Sequence, residues 1–326
     1  MNEKRARRRS TRVVGALVVV LALSPASPGV GAQLSYTSGQ NVSPAFEGWE
    51  KNSDGTFSLL FGYINRNWLE ELDVPVGPDN NISPGPADQG QPTHFQPRRN
   101  RFVFKVRVPA DFGDQEMVWT LATRGETEYA YGSLRPDYII DDVVIASETG
   151  ALGAGSSSAE SRSNVAPVVT VVGEQVRSAI VGEPLTLVAT VTDDDLPRVR
   201  RASTPSSEEP DSEEPPKLSS RQLRPPTRIT VGKRLGLHLS WFVYRGGGEV
   251  SFDPPQVKVW EDTRTGANSP WSPLWSPPEV PEDGHWEVRV TFDRPGTYVL
   301  RARADDGGLY HDADITVTVS PLGSPE

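Results

Sequence analysis

Trp286-Glu287-Val288-Arg289-Val290-Thr291-Phe292, the turn Asp293-Arg294-Pro295-Gly296-Thr297, and Tyr298-Val299-Leu300-Arg301-Ala302-Arg303-Ala304 decide the fold of this chain. On both sides of the turn, apolar residues recur at every second position. Successive side chains of an extended backbone point to opposite faces, so this period marks strands with one buried row and one outward row. Leu185, Leu187, Ala189 and Val191 repeat the pattern upstream, as do Leu237, Leu239, Trp241 and Val243; Ala313, Ile315, Val317 and Val319 repeat it downstream. With Val168 to Val172 as a first strand, these runs predict an antiparallel sandwich with one face of each strand in its core. In that reading His238, Ser240, Phe242 and Tyr244 form an outward row, which puts His238 at the surface.

The stretch Asp293 to Leu300 resembles the corner of immunoglobulin-like domains, where a tyrosine stands two positions ahead of a core residue. Trp241 matches the core tryptophan of their third strand, and Leu300 with Leu187 or Ala189 stands where they often carry a disulfide. Gly296-Thr297-Tyr298, Asp305-Asp306-Gly307 and the ending Val317-Thr318-Val319 also resemble PKD and cadherin-like bacterial modules. The PKD-type Trp-x-Phe-Gly-Asp-Gly signature is absent, and Trp241-Phe242-Val243-Tyr244-Arg245-Gly246 stands in its place. The resemblance covers Ala166 to Val319. It implies a module that binds or spaces rather than catalyses, although fold does not fix function.

Residues 33–146 read as another β-sandwich. Phe46 to Tyr63 reads as a hairpin about the turn residues Asn52-Ser53-Asp54-Gly55. Phe57, Leu59, Phe61 and Tyr63 share one face, while Leu60 and Ile64 make the other face apolar as well, so both sides are expected to be covered. Asp73 to Gln96 is too rich in Pro, Gly and Asn for regular structure. Phe102, Phe104, Val106 and Val108 are then expected inward, with Lys105 and Arg107 outward. This half resembles a type of bacterial secreted protein of uncharacterised activity that bears Gly48-Trp49, Phe61-Gly62-Tyr63-Ile64-Asn65-Arg66-Asn67-Trp68 and Val76-Gly77-Pro78-Asp79-Asn80.

The fold class is therefore all-β: two antiparallel, immunoglobulin-like β-sandwich domains joined by a flexible linker and preceded by a signal peptide. Residues 1–32 carry a basic start, an apolar core from Val13 to Leu23 and the small residues Val30-Gly31-Ala32, the pattern of a secretory signal. The Ser/Gly-rich linker, 147–164, would span roughly 20–25 Å as a coil, which lets the two domains tumble semi-independently. The second domain, 165–320, contains an insert at 196–228 whose Pro, Ser and charged residues cannot repay their ordering entropy, so it is expected to be disordered; 321–326 is a tail. Loss of the signal would shift the net charge from −10 to −15, by removal of six basic residues and Glu3. That acidity argues against nucleic acid and anionic lipid. With no cysteine there is no disulfide, thiolate site or lipid anchor. A periplasmic or secreted location follows, with no membrane span after signal cleavage.

The four histidines are scattered, with no His-Glu-x-x-His and no Gly-x-Ser-x-Gly, so nothing supplies nucleophile, base and orienter together, and the chain reads as non-enzymatic. An enzyme would need acids and a histidine to converge at the 73–96 loop. No cofactor is indicated beyond calcium, for which Asp193, Asp195, Asp305 and Asp306 offer oxygens at two strand ends. The candidate ligand-binding residues are polar-aromatic: Asn65, Arg66, Asn67 and Trp68 opposite Asp79 and Asn80, and Trp271 and Trp275 in a Pro-rich loop. The expected partner is an envelope or extracellular protein, in a scaffolding role; polysaccharide on the tryptophans is the alternative.

Overall fold

Eight strands build the N-terminal half: β1 (Val42–Lys51), β2 (Phe57–Asn65), β3 (Leu72–Asp73), β4 (Asn80–Ser83), β5 (His94–Phe95), β6 (Arg98–Val108), β7 (Met117–Thr123) and β8 (Glu126–Gly132). The structure is a computed structural model that describes residues 36–148, 159–198, 236–256 and 279–323. The expected signal peptide, the middle of the linker, most of the insert, Trp271, Trp275 and the end of the tail lie outside the described residues. Two antiparallel three-stranded sheets, β1-β2-β6 and β4-β7-β8, face each other, with the two-stranded pair β3-β5 alongside. The hairpin holds Phe46 opposite Phe61, as the alternation requires. Phe61, Phe104, Trp119 and Phe95 fill the core, with Phe104 edge-on to Trp119 at 5.0 Å. The 73–96 segment is more regular than expected, since it contributes β4 to the second sheet.

The inward row of β6 also needs correction. Its register slips between Phe61 and Tyr63 of β2, and Phe102 takes a positive φ of 50° there. Val103 and Phe104 enter the main core, whereas Phe102 turns to the opposite side, into a separate cluster with Leu60, Ile140, Ile145, Ala146 and Leu309. That cluster covers the second apolar side of β2, as Leu60 led one to expect.

The C-terminal half adds β9 (Val168–Val171), β10 (Val176–Ile180), β11 (Leu185–Thr192), β12 (His238–Arg245), β13 (Val250–Asp253), β14 (His285–Phe292), β15 (Gly296–Asp305) and β16 (Tyr310–Ser320). Its sheets run β9-β11-β14-β13 and β10-β16-β15-β12, with β10 parallel to β16 and the other neighbours antiparallel. Read as strands A-B-E-D and A′-G-F-C, this is the immunoglobulin sandwich. Trp241, Leu187, Ala189 and Leu300 lie in one core. The Tyr298 hydroxyl donates to the Arg294 carbonyl at 3.0 Å and approaches that of Gly247 at 2.8 Å, the tyrosine corner that the resemblance implied.

Residues from Tyr36 on form one compact unit. Semi-independent tumbling does not describe it, because the outward row of β12 is buried too: Phe242 and Tyr244 belong to the core of the first sandwich. His238, expected at the surface, is buried edge-on against Trp286. The described ends of the expected linker are partly helical: the helix Asp142–Glu148 runs into it and Ala159–Ser163 lies within it, with Ser161 and Asn164 buried.

Candidate functional site

The chemistry-bearing side chains of the described residues gather where the two sandwiches meet. On the outer face of the second sandwich, β15 places Arg301 opposite Asp314 of β16, and Arg303 opposite Asp312. Arg301 donates to Asp314 through Nε and Nη2 at 2.7 and 2.9 Å, and reaches the Val103 carbonyl of the first sandwich through Nη1 at 2.7 Å. Its guanidinium lies 3.6 Å from the centre of the Tyr244 ring. Arg303 makes a two-pronged contact with Asp312 at 2.7 Å and stacks on Tyr310, whose hydroxyl donates to the Phe102 carbonyl at 2.7 Å. Burial pushes the Asp312 carboxyl up, but Arg303 and Arg301 outweigh it and hold the acid below the usual range. Burial also pushes the Tyr244 hydroxyl up to about 12, so it stays a proton donor, to the Gly90 carbonyl.

A second set of contacts comes from the 73–96 segment. Arg245 binds Asp88 at 2.7 and 2.9 Å and the Gln91 carbonyl at 2.9 Å. Thr93 takes the Gly246 amide on its hydroxyl, and Asp73 takes the Gly248 amide. Asp73 also binds His94 Nδ1 at 2.8 Å, while Glu71 binds His94 Nε2 at 3.1 Å. Acids and a histidine thus do converge at this loop, the arrangement an active site there would require. Yet His94 is buried, and although burial alone opposes its charge, the bonds to Asp73 and Glu71 raise its pKa to about 9. At neutral pH both ring nitrogens are donors already in use, so this imidazole has no lone pair for base catalysis. It is a clamp.

A cleft of about 750 Å³ opens along the joint, lined by Glu50, Lys105, Asp142, Arg245, Asp312 and Asp314 among others. Most of its charges are paired: Lys105 with Glu50, Arg245 with Asp88, Arg301 with Asp314, and Asp312 with Arg303. The other side chains expected to bind a ligand are dispersed. Asn65, Asn67 and Asn80 are fully buried. Asn65 donates to the Glu70 and Phe95 carbonyls and accepts from Asn67, whose amide spans Gln40. Asn80 donates to the Val74 and Pro92 carbonyls and accepts from Trp119 Nε1. Buried and spent on these contacts, the three asparagines hold loops to strands. Arg66 is spent on Ser43 and Glu128, the half-buried Trp68 ring lies under the Arg98 guanidinium at 4.4 Å, and Asp79 is exposed.

The calcium candidates share one end of the sandwich. Val165 donates its amide to Asp194, and Asn164 Nδ2 binds Asp306, so both acidic loops meet the chain at 164–165. Asp195 donates its amide to Asp193, Asp305 accepts from Gly307, and Asp306 accepts from Gly308 and Leu309, all local turn contacts. Among the described residues no group of three or more Asp, Glu or His is placed to hold a metal ion. Nor is any described helix long and apolar enough to cross a membrane.

No protein-family model matches the chain, and no curated protein is similar to it in sequence. Among solved structures it is similar to the S-layer protein rSbsC(31-844), at 9% identity and a TM-score of 0.24, over 88% of this chain but only 28% of that one. It is also similar to the Yersinia pseudotuberculosis adhesin InvE (9% identity, TM-score 0.21, 88% of this chain and 61% of that one) and to the D00-D0 domain of Intimin (10%, 0.21, 85% and 100%). Superpositions this loose add nothing to the fold that the sheet order defines.

Proposed function

We propose that this protein is an exported interaction or scaffolding element of the cell envelope or its exterior, acting by surface contact rather than by catalysis. The observation that carries the reading is the joint. Buried arginines, two stacked tyrosines and a clamped histidine all serve to fix one sandwich against the other. Ordering so many side chains costs conformational entropy, and the return is a rigid two-sandwich body, which suits an element that presents surfaces at a set separation. The export pattern of residues 1–32 supports a place outside the cytoplasm.

Cell fractionation with site-specific photocross-linkers on both sandwiches tests it. The expected result is recovery outside the cytoplasmic membrane, with one and the same partner cross-linked from both sandwiches. Recovery in the cytoplasm would rule the reading out.

A further inference from the structure

The sheet β4-β7-β8 turns its outer face away from the joint. Along β8 that face carries Tyr129 and Tyr131, 52% and 54% exposed, with ring centres 6.2 Å apart. Register places Thr120 and Val118 of β7 beside them, followed by Asn81 and Ser83 of β4. None of these side chains is charged, on a protein whose net charge is −10. The inner rows of the same strands, Trp119, Leu121 and Ala130, are core, so the outward tyrosines add nothing to the packing of their own sandwich.

We infer that this face is a binding platform for an uncharged polysaccharide chain, a ligand class that deepens the interaction reading above and rests on it. Two adjacent tyrosine rings offer flat apolar faces on which the C–H faces of sugar rings can stack. Their hydroxyls, with the Thr120 and Ser83 hydroxyls, offer donors and acceptors for sugar hydroxyls, and Asn81, whose Nδ2 is held by the Gly77 and Pro78 carbonyls, offers its Oδ1 as an acceptor. The missing charges set the choice among ligands. An anionic polymer would find no cation here and would be repelled by the molecule as a whole. A second copy of the chain is also a poor occupant. Strands about 4.8 Å apart, with about 6.7 Å between successive outward residues, give a patch of roughly 200 Å², against the ~800 Å² that each partner buries in a standard interface.

Affinity electrophoresis of the full chain decides it, in native gels containing barley β-glucan, xylan or glucomannan, with alginate as the anionic control. At least one neutral polymer should retard the protein while alginate does not. The Tyr129→Ala/Tyr131→Ala variant, confirmed as folded by circular dichroism, should lose at least tenfold in affinity. Three results would overturn the inference: no retardation by any neutral polymer, retardation that survives the double substitution, or sedimentation showing a dimer that the double substitution abolishes. A failure here, with the two-sandwich cross-link intact, would leave the scaffolding reading standing.

Discussion

Among the described residues, His94 and Asp306 hold protons that bear on stability near neutrality, and the sign is the same for both. The two carboxylates around His94 overcome its burial and hold its pKa at about 9, against 6.5 for an unperturbed ring. The folded chain therefore keeps a proton that the unfolded chain has lost. The stabilisation from His94, a few kcal/mol at most, is full below about pH 6.5, fades as pH rises, and is gone above about 9. Melting temperature should fall across that window, and His94→Gln should flatten the slope; parallel slopes in the two proteins would refute the clamp. Burial raises the Asp306 carboxyl to about 7, against the amides of Leu309 and Gly308 that favour the anion. The native state so prefers the neutral acid, and stability is lost as pH climbs through about 7. Asp306→Asn retains an acceptor for those amides, and a rotated Asn164 would turn its unpartnered Oδ1 toward the new amide donor. The variant should gain about 1–2 kcal/mol above pH 8 and lose that advantage at pH 5; denaturant midpoints at the two pH values measure the difference.

At the scale of elements, β2 shows which features of a strand a sequence reveals. Its alternation and the Asn52–Gly55 turn made the hairpin legible, because burial on one face imposes a period of two and the turn fixes the register. The slip against β6 was not legible, since a periodic pattern does not mark where the period breaks. Phe102 looked like its neighbours, and only the bulge sends it to the other side. The strands β10 and β13 escaped notice for a different reason: both are short, half-exposed sheet edges with few apolar residues to count. Gly62 sits at the bulge, where an added Cβ would lie 2.5 Å from the Asn100 carbonyl oxygen and 3.1 Å from the Arg101 Cα. Backbone cannot give way there cheaply. Gly55 differs, because its φ of +87° is the constraint and nothing lies within 4 Å. Gly62→Ala should cost about 3 kcal/mol and Gly55→Ala about 1 kcal/mol, read from urea midpoints; equal costs would mean that the bulge relaxes.

The joint belongs to the whole molecule, and it is where single-residue reading gave least. Phe242, Tyr244, Arg301 and Arg303 lie on rows that alternation marks as outward, and outward of one sandwich need not mean exposed in a molecule of two. The loop-holding role of Asn65, Asn67 and Asn80 was hidden in the same way, because a buried amide satisfied by carbonyls looks like a surface amide in a sequence. A trace of the joint was present in the outward aromatics of β12, but the facing of Arg301 on Asp314 and Arg303 on Asp312 needs the sheet order to be known. The consequence is cooperative unfolding. With Phe242 and Tyr244 inside the first core, neither half can open without exposing the other, so calorimetry should find one transition whose calorimetric and van't Hoff enthalpies agree. Arg301→Ala removes the bond to Val103 and strips Asp314 and Asp312 of a partner, a loss of about 3 kcal/mol, whereas Arg245→Ala opposite the half-exposed Asp88 should cost less than about 1 kcal/mol. Adding Tyr310→Phe to Arg301→Ala deletes the Phe102 contact as well and should lower stability further, while the peak stays single because Phe242 and Tyr244 remain inside the first core. Two peaks already present in the unmodified chain would show that the sandwiches touch without being coupled, and the rigid body on which the scaffolding role depends would be gone.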